Sequence, residues 1–300
     1  MRLYRKVLIL IILLVNILLN IACGNEIEFH NSKDNDQITV AVSIVPEETF
    51  VKAVAGDNVN VVTMIPTGYS PENYQPSPSQ ITSLSQSKIY FSMGVPADGA
   101  NIIPFLKDYG EDIKIIHLDQ IVGDVYDDLY IDGEQQGDMT RDPHIWLSPK
   151  RVIVMIDIIM NELVAIDPKN EIIYKENAEK IIEDLEGLDS IIIEKIGQIE
   201  NKSFLIYHPA YRYYADDYDL NMICIEEDGK EATAQRFENI IDVANRKSIK
   251  VIFYQEEFND EQAKTIAKEI DGVTIKVSPL SEDYIENLIN ITNEIVKANK

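Results

Sequence analysis

The sequence is short of cysteine, histidine and positive charge, and each shortage removes a class of protein. Two cysteines, Cys23 and Cys224, occur in 300 residues, so no disulfide framework is available and the fold must rest on an apolar core. Lys and Arg number 27 against 51 Asp and Glu, a formal net charge of −24. Such a surface repels phosphate backbones and excludes nucleic acid as a partner. It gathers cations weakly, although solubility alone is reason enough for the charge. Long apolar runs are also scarce. The one present, Val7–Ala22, falls short of the roughly 20 residues a bilayer crossing takes. No His-Glu-x-x-His, Gly-x-Ser-x-Gly or Gly-rich phosphate loop appears, and no general base stands out. What remains is 45% hydrophobic and 26% charged, enough for one or two globular domains.

The N-terminus reads as an export signal. A basic start, Met1–Lys6, precedes the apolar run, and a polar stretch, 24–37, follows without a stop-transfer cluster. Ala22 before Cys23 resembles a bacterial lipoprotein cleavage site, which implies a signal peptide over 1–22, lipidation of Cys23 and a tether over 23–37. Asn20 stands where that pattern has Leu; plain cleaved secretion and an uncleaved anchor are the other readings. A lipidated Cys23 leaves no disulfide at all. Cys224, in the apolar run Met222–Ile225, reads as a buried inert thiol.

From residue 38 the rhythm is strand then helix. Ile38–Ile44, Val59–Ile65, Lys88–Met93 and Asp112–Ile116 have strand patterns, with helices opened by Pro46, Pro78 and Pro149 between or after them. After Asp167-Pro168, a stripe of Ala178, Ile181, Leu185, Leu188, Ile192, Ile196 and Ile199 marks one unusually long helix. Then the rhythm restarts, with strands at Ser203–Tyr207, Met222–Ile225, Ile249–Tyr254 and Val273–Val277 and helices near Ala234–Asn245, Asp260–Ile270 and Asp283–Ala298. The pattern predicts an α/β protein of two lobes, 38–166 and 201–300, each built on a parallel four-stranded sheet and joined by one connecting helix over 167–200. No internal repeat suggests a solenoid.

Four histidines exist: His30 in the tether, His117 after a strand, and His144 and His208. The last two differ from the others. His144 lies in Asp142-Pro-His-Ile-Trp-Leu-Ser-Pro149, a rigid turn before a helix; His208 follows a strand directly and precedes Pro209. Open α/β sheets place ligands at the carboxyl ends of their strands. One histidine falls in each lobe, so spacing allows either a shared metal or two unrelated polar residues.

Several segments together carry a resemblance: Val42-Ser-Ile-Val-Pro46, Gly68-Tyr-Ser-Pro-Glu-Asn-Tyr-Gln-Pro76, Asp142–Pro149, Asp167-Pro168 with Tyr174 and Asn177-Ala178, His208-Pro-Ala-Tyr-Arg-Tyr-Tyr214 with Tyr218 and Leu220, and Val251-Ile-Phe253 leading to Pro279-Leu280. The chain resembles the zinc- and manganese-type metal-binding lipoproteins of ABC importers over nearly all its length beyond the signal. The resemblance implies two lobes bridged by a rigid helix, one ion between them, an ABC permease as partner, a lipid anchor to the membrane and a monomer. It places His144 and His208 as ligands. Glu72 stands where the family has its first His, Ser278 where it has an Asp, and Gln255 where it has a Glu, with Glu256 and Glu257 beside it. The implied set is therefore Glu72, His144 and His208, with Ser278, Gln255, Glu256 or Glu257 as possible fourth ligand or supporting group. Two imidazoles and a carboxylate suit Zn2+, and also Mn2+ or Fe2+. Two rival readings are a receptor for a haem-, corrin- or siderophore-type chelate, suggested by Tyr211, Tyr213 and Tyr214, and a secreted zinc hydrolase. The acidic stretch Gly123–Asp142 reads as a solvated loop, its spacing unlike a calcium-binding loop.

Overall fold

A computed structural model describes residues 37–109, 112–132, 139–226, 232–255, 257–258 and 260–299. The signal segment, Cys23, His30, Glu134, Asp138 and Glu256 lie outside the described residues. Residues 38–300 form one compact unit.

The first sheet contains β1 (Ile38–Ile44), β2 (Val59–Ile65), β3 (Ile89–Ser92) and β4 (Lys114–His117), all parallel in the order β2-β1-β3-β4. β1 is central, and its residues from Val40 to Ile44 are all buried, as a strand covered on both faces must be. It runs straight into α1 (Val45–Ala55), with Pro46 in the first turn and Gly56, at φ 57, closing the helix. Three further helices attach to this sheet: α2 (Pro78–Leu84), α3 (Ile103–Tyr109) and α4 (Leu118–Gly123). The acidic stretch is not only loop. β5 (Tyr130–Asp132) and β6 (Met139–Arg141) pair antiparallel within it. Strands of three residues without apolar alternation leave little trace in a sequence.

α5 (Pro149–Ile166) follows, with Ser148 capping its N-terminus through a 3.3 Å bond from Arg151 N. A short turn at Pro168–Asn170 then leads into α6 (Glu171–Ile196), the connecting helix of 26 residues. Its buried side is Tyr174, Ala178, Leu185, Leu188, Ile192 and Ile196; of the expected stripe over 167–200, Ile181 is half-buried and Ile199, though buried, lies past the end of the helix. The helix is pinned at both ends. Asn177 Nδ2 donates to Val54 O of α1 at 3.0 Å, and Asp189 accepts Tyr218 Oη at 2.8 Å.

The second sheet repeats the first in its order. β7 (Ser203–Ile206), β8 (Asn221–Cys224), β9 (Val251–Gln255) and β10 (Val273–Val277) run parallel as β10-β9-β7-β8. In each sheet the earliest strand is flanked by the second and third, which puts a topological switch point beside β1 and beside β7. Helices α7 (Arg212–Asp217), α8 (Ala234–Arg246), α9 (Glu261–Glu269) and α10 (Tyr284–Ala298) complete the second half. Tyr211, Tyr213 and Tyr214 are fully buried core residues and line no cleft. Among the described residues no helix is long and apolar enough to cross a membrane.

Candidate metal centre

Both histidines project from short connections that the sequence makes stiff. His144 sits between Pro143 and a 3-10 turn at Ile145–Leu147. Asp142, almost wholly buried, holds it twice: its Oδ1 accepts from His144 N at 2.9 Å and faces His144 Nδ1 at 2.7 Å. Burial pushes the Asp142 carboxyl up, but the neighbouring imidazole, its two hydrogen bonds and Arg212 outweigh that and leave it below its ordinary value. Arg212 Nε lies 3.4 Å from the other oxygen, Oδ2. The turn is also fastened across the cleft, since Trp146 Nε1 donates to Pro279 O at 2.8 Å.

His208 follows β7 at the switch point. Gln255, at the end of β9, grips its main chain: Nε2 donates to His208 O at 2.7 Å and His208 N donates to Gln255 Oε1 at 3.3 Å. Phe258 stacks on the ring, centroids 4.4 Å apart and 17° between planes. Glu226, past the end of β8, faces His208 Nδ1 at 3.0 Å.

The two rings meet through their outer nitrogens, His144 Nε2 and His208 Nε2, 3.3 Å apart. Glu72 Oε1 lies 3.4 Å from His208 Nε2, its side chain 36% exposed. Its loop is held from below: Ala97 N donates to Pro71 O at 3.0 Å, and Asn101 Nδ2 to Tyr74 O at 2.8 Å. Ala97 in turn precedes Asp98, a buried carboxylate that accepts from Ser43 Oγ (2.8 Å), Tyr90 Oη (2.5 Å), Ser92 Oγ (2.9 Å) and Gly94 N (2.9 Å). The polar network at the carboxyl ends of β1 and β3 thus supports the Glu72 loop.

The structure brings Glu72, His144 and His208 together. Of the other candidates, Glu256 lies outside the described residues. Gln255 spends its amide on the His208 main chain. The Ser278 carbonyl accepts from Asn287 Nδ2 at 2.8 Å, and its hydroxyl bonds neither histidine. Glu257 is half-buried on the loop after β9. His117 is at the end of β4, 4.0 Å from Asp119. Cys224 is half-buried, and its thiol, donating to Tyr207 O and Glu226 O, is pushed up to about 12 chiefly by burial. Sequence reasoning missed Glu226. Its place just past a buried strand is the signal that singled out His208, and applied to β8 it finds this acid.

A model of the family described as zinc-uptake complex component A, periplasmic (ZnuA), matches residues 40–298. The zinc-binding lipoprotein AdcA of Streptococcus pneumoniae serotype 4 is 28% identical over 299 residues, covering 93% of this chain but 58% of its own length. The manganese-binding lipoprotein MntA of Halalkalibacterium halodurans is 25% identical over 275 residues, covering 90% of this chain and 88% of its own. A crystal structure of ZnuA superposes with a TM-score of 0.80 at 30% identity, over 88% of this chain and all of that one. Two like-ordered parallel sheets, the bridging helix and the histidine pair between them agree with that match, and the chain belongs to the ZnuA family of periplasmic zinc-uptake components.

Proposed function

We propose that this chain is an extracytoplasmic receptor for a divalent transition-metal ion, zinc foremost, that it delivers to an ABC importer. One observation carries the reading: His144 Nε2, His208 Nε2 and the Glu72 carboxylate converge in a mostly buried place. Asp142 and Glu226 face the Nδ1 atoms, and a ring that donates there turns its Nε2 lone pair inward, beside the Glu72 carboxylate. Acceptors so arranged repel, and a cation is what satisfies them. The spacing fits as well. Donors at zinc distances of roughly 2.0–2.1 Å on a tetrahedral ion stand about 3.3 Å apart, against 3.3 and 3.4 Å here. Among the described residues no three His, Cys, Asp or Glu side chains already surround one ion position. Glu72 is much the most exposed of the three, so it is the donor that adjusts.

Glu72 in place of an imidazole makes the set harder, and one relative is named for manganese; manganese or iron is therefore the second reading. The receptor is a monomer held to the membrane through lipid on Cys23, with the permease as its partner. The test is metal analysis of residues 24–300 purified without a His tag, then competition among zinc, manganese and iron. One tightly held ion is expected, lost in both His144→Ala and His208→Ala. Parent affinity in both variants would sink the reading.

A further inference from the structure

The two histidines are backed by carboxylates of different kinds. Asp142 lies two residues before His144 in the same turn and is paired with Arg212. Glu226 comes from a different strand than His208, and among the described residues no Lys or Arg pairs with it. It is 7% exposed, and the one described hydrogen-bond partner of its carboxylate is His208 Nδ1. Its main chain is fixed beside the histidine's: Glu226 N donates to Tyr207 O at 3.0 Å, and Cys224 Sγ donates to Glu226 O at 3.0 Å. The plane of the His208 ring is already set without it, by the stack on Phe258 and the grip of Gln255 on the main chain. What Glu226 adds is the choice of tautomer and a negative charge. An ionised carboxylate only accepts, so Nδ1 must donate to it and the lone pair must fall on Nε2.

Building on the receptor reading above, we propose that Glu226 is a positioning residue of the metal site, which holds His208 in its Nδ1–H form and raises its basicity toward the ion without touching it. Carboxylates behind metal-binding histidines act this way generally, and their loss costs roughly 10- to 100-fold in affinity. Glu226→Gln keeps the shape and an acceptor oxygen but loses the charge, and its amide can also donate to Nδ1. Glu226→Leu offers Nδ1 nothing. Affinity should therefore fall in the order parent, Gln, Leu, with the Leu variant about 10- to 100-fold weaker.

The experiment uses the full chain. Zinc affinity of the parent and both variants is measured by chelator competition, and the nitrogen chemical shifts of His208 are read by NMR on metal-free protein at a pH above its titration. The parent should show His208 as the Nδ1–H form alone, with a mixture in the Leu variant. Thermal melts check folding, and if the Leu variant fails to fold the Gln variant carries the test. Unchanged affinity and tautomer in the folded variants, or an Nε2–H form in the parent, would overturn the proposal. A parent that binds no metal would sink the receptor reading instead, while the tautomer of the metal-free protein still decides the role of Glu226.

Discussion

Replacing Glu72 by Gln is the most exacting perturbation, because it leaves shape and one oxygen in place and removes only charge. A carboxylate oxygen about 2.1 Å from a divalent ion contributes about 4 kcal/mol of attraction even at the dielectric constant of water. The side chain is 36% exposed, so water already screens it, and the amide oxygen of Gln retains a dipole toward the ion. About half of the attraction survives, which leaves a loss of about 2 kcal/mol, or roughly 30-fold in affinity. The assay is thermal unfolding with and without zinc. At a zinc concentration about 100 times the parent's Kd, binding adds about 2.7 kcal/mol to the parent and about 0.9 kcal/mol to the variant. For a domain of this size those figures correspond to a rise in Tm of roughly 5–11 °C and roughly 2–4 °C. Glu72→His should keep or improve zinc binding and turn selectivity away from manganese. Equal zinc-induced shifts in Glu72→Gln and the parent would refute the reasoning: Glu72 would be a bystander, and the third donor would be water or the segment after β9.

Two further outcomes follow from the frame around the site. Apo and zinc-bound forms should give the same radius of gyration in solution scattering, because bending α6 breaks backbone hydrogen bonds worth about 1 kcal/mol each, and a wide hinge closure would contradict this. Glu47 is fully buried with Oε1 unpartnered, and burial, then Asp98 nearby, raises its carboxyl well above the ordinary 4.5. The native state therefore holds this proton at pH values where the unfolded chain has released it, so stability falls as pH rises from about 4.5 toward the raised native value. Urea melts of the metal-free protein should show a shallower fall in Glu47→Gln, and equal slopes would count against the burial argument.

How far the sequence carries depends on what each element leaves in it. β1, β2 and β10 are legible to the residue, because β-branched runs bounded by turn signals have few other solutions. The connecting helix shows in its long apolar stripe. The β5–β6 hairpin does not show, having three residues a side and no apolar alternation in its sequence. At the site, the rule that ligands gather at the carboxyl ends of parallel strands singled out His208 as a candidate, the stiff Asp142–Pro149 turn singled out His144, and the structure brings the two together. What lies behind them was not legible. Gln255 occupies a position where a ligand was conceivable, yet its amide is matched to both polar groups of the His208 main chain. Glu226 shares no local motif with His208; only the pairing of β7 with β8 brings them together. A sequence shows which strand end a residue occupies, and the register between strands decides whom it meets.

In the proposed site, charge and frame together favour an ion of one valence. Around the two imidazoles stand three carboxylates, Glu72, Asp142 and Glu226, and one guanidinium, Arg212, a balance of two negative charges. A divalent ion brings that balance to zero. A monovalent ion leaves one charge over on the negative side and a trivalent ion one on the positive side, and an unbalanced charge in a mostly buried site is costly. Attraction alone does not hold the geometry, because His144 and His208 belong to different halves of the molecule. Trp146 bonds Pro279 O, and Asp217 accepts from Ser148 Oγ at 2.5 Å and from Arg151 at 3.1 Å, so the chain just after His144 is fastened to the second half at several points. These bonds keep the two Nε2 atoms 3.3 Å apart, so the proposed site is preorganised and an ion binding there avoids part of the ordering cost. The same bonds mean that an ion cannot leave by one histidine drifting from the other. Release has to loosen either this clasp or Glu72, and Glu72, exposed and held only through its loop, is the weaker of the two.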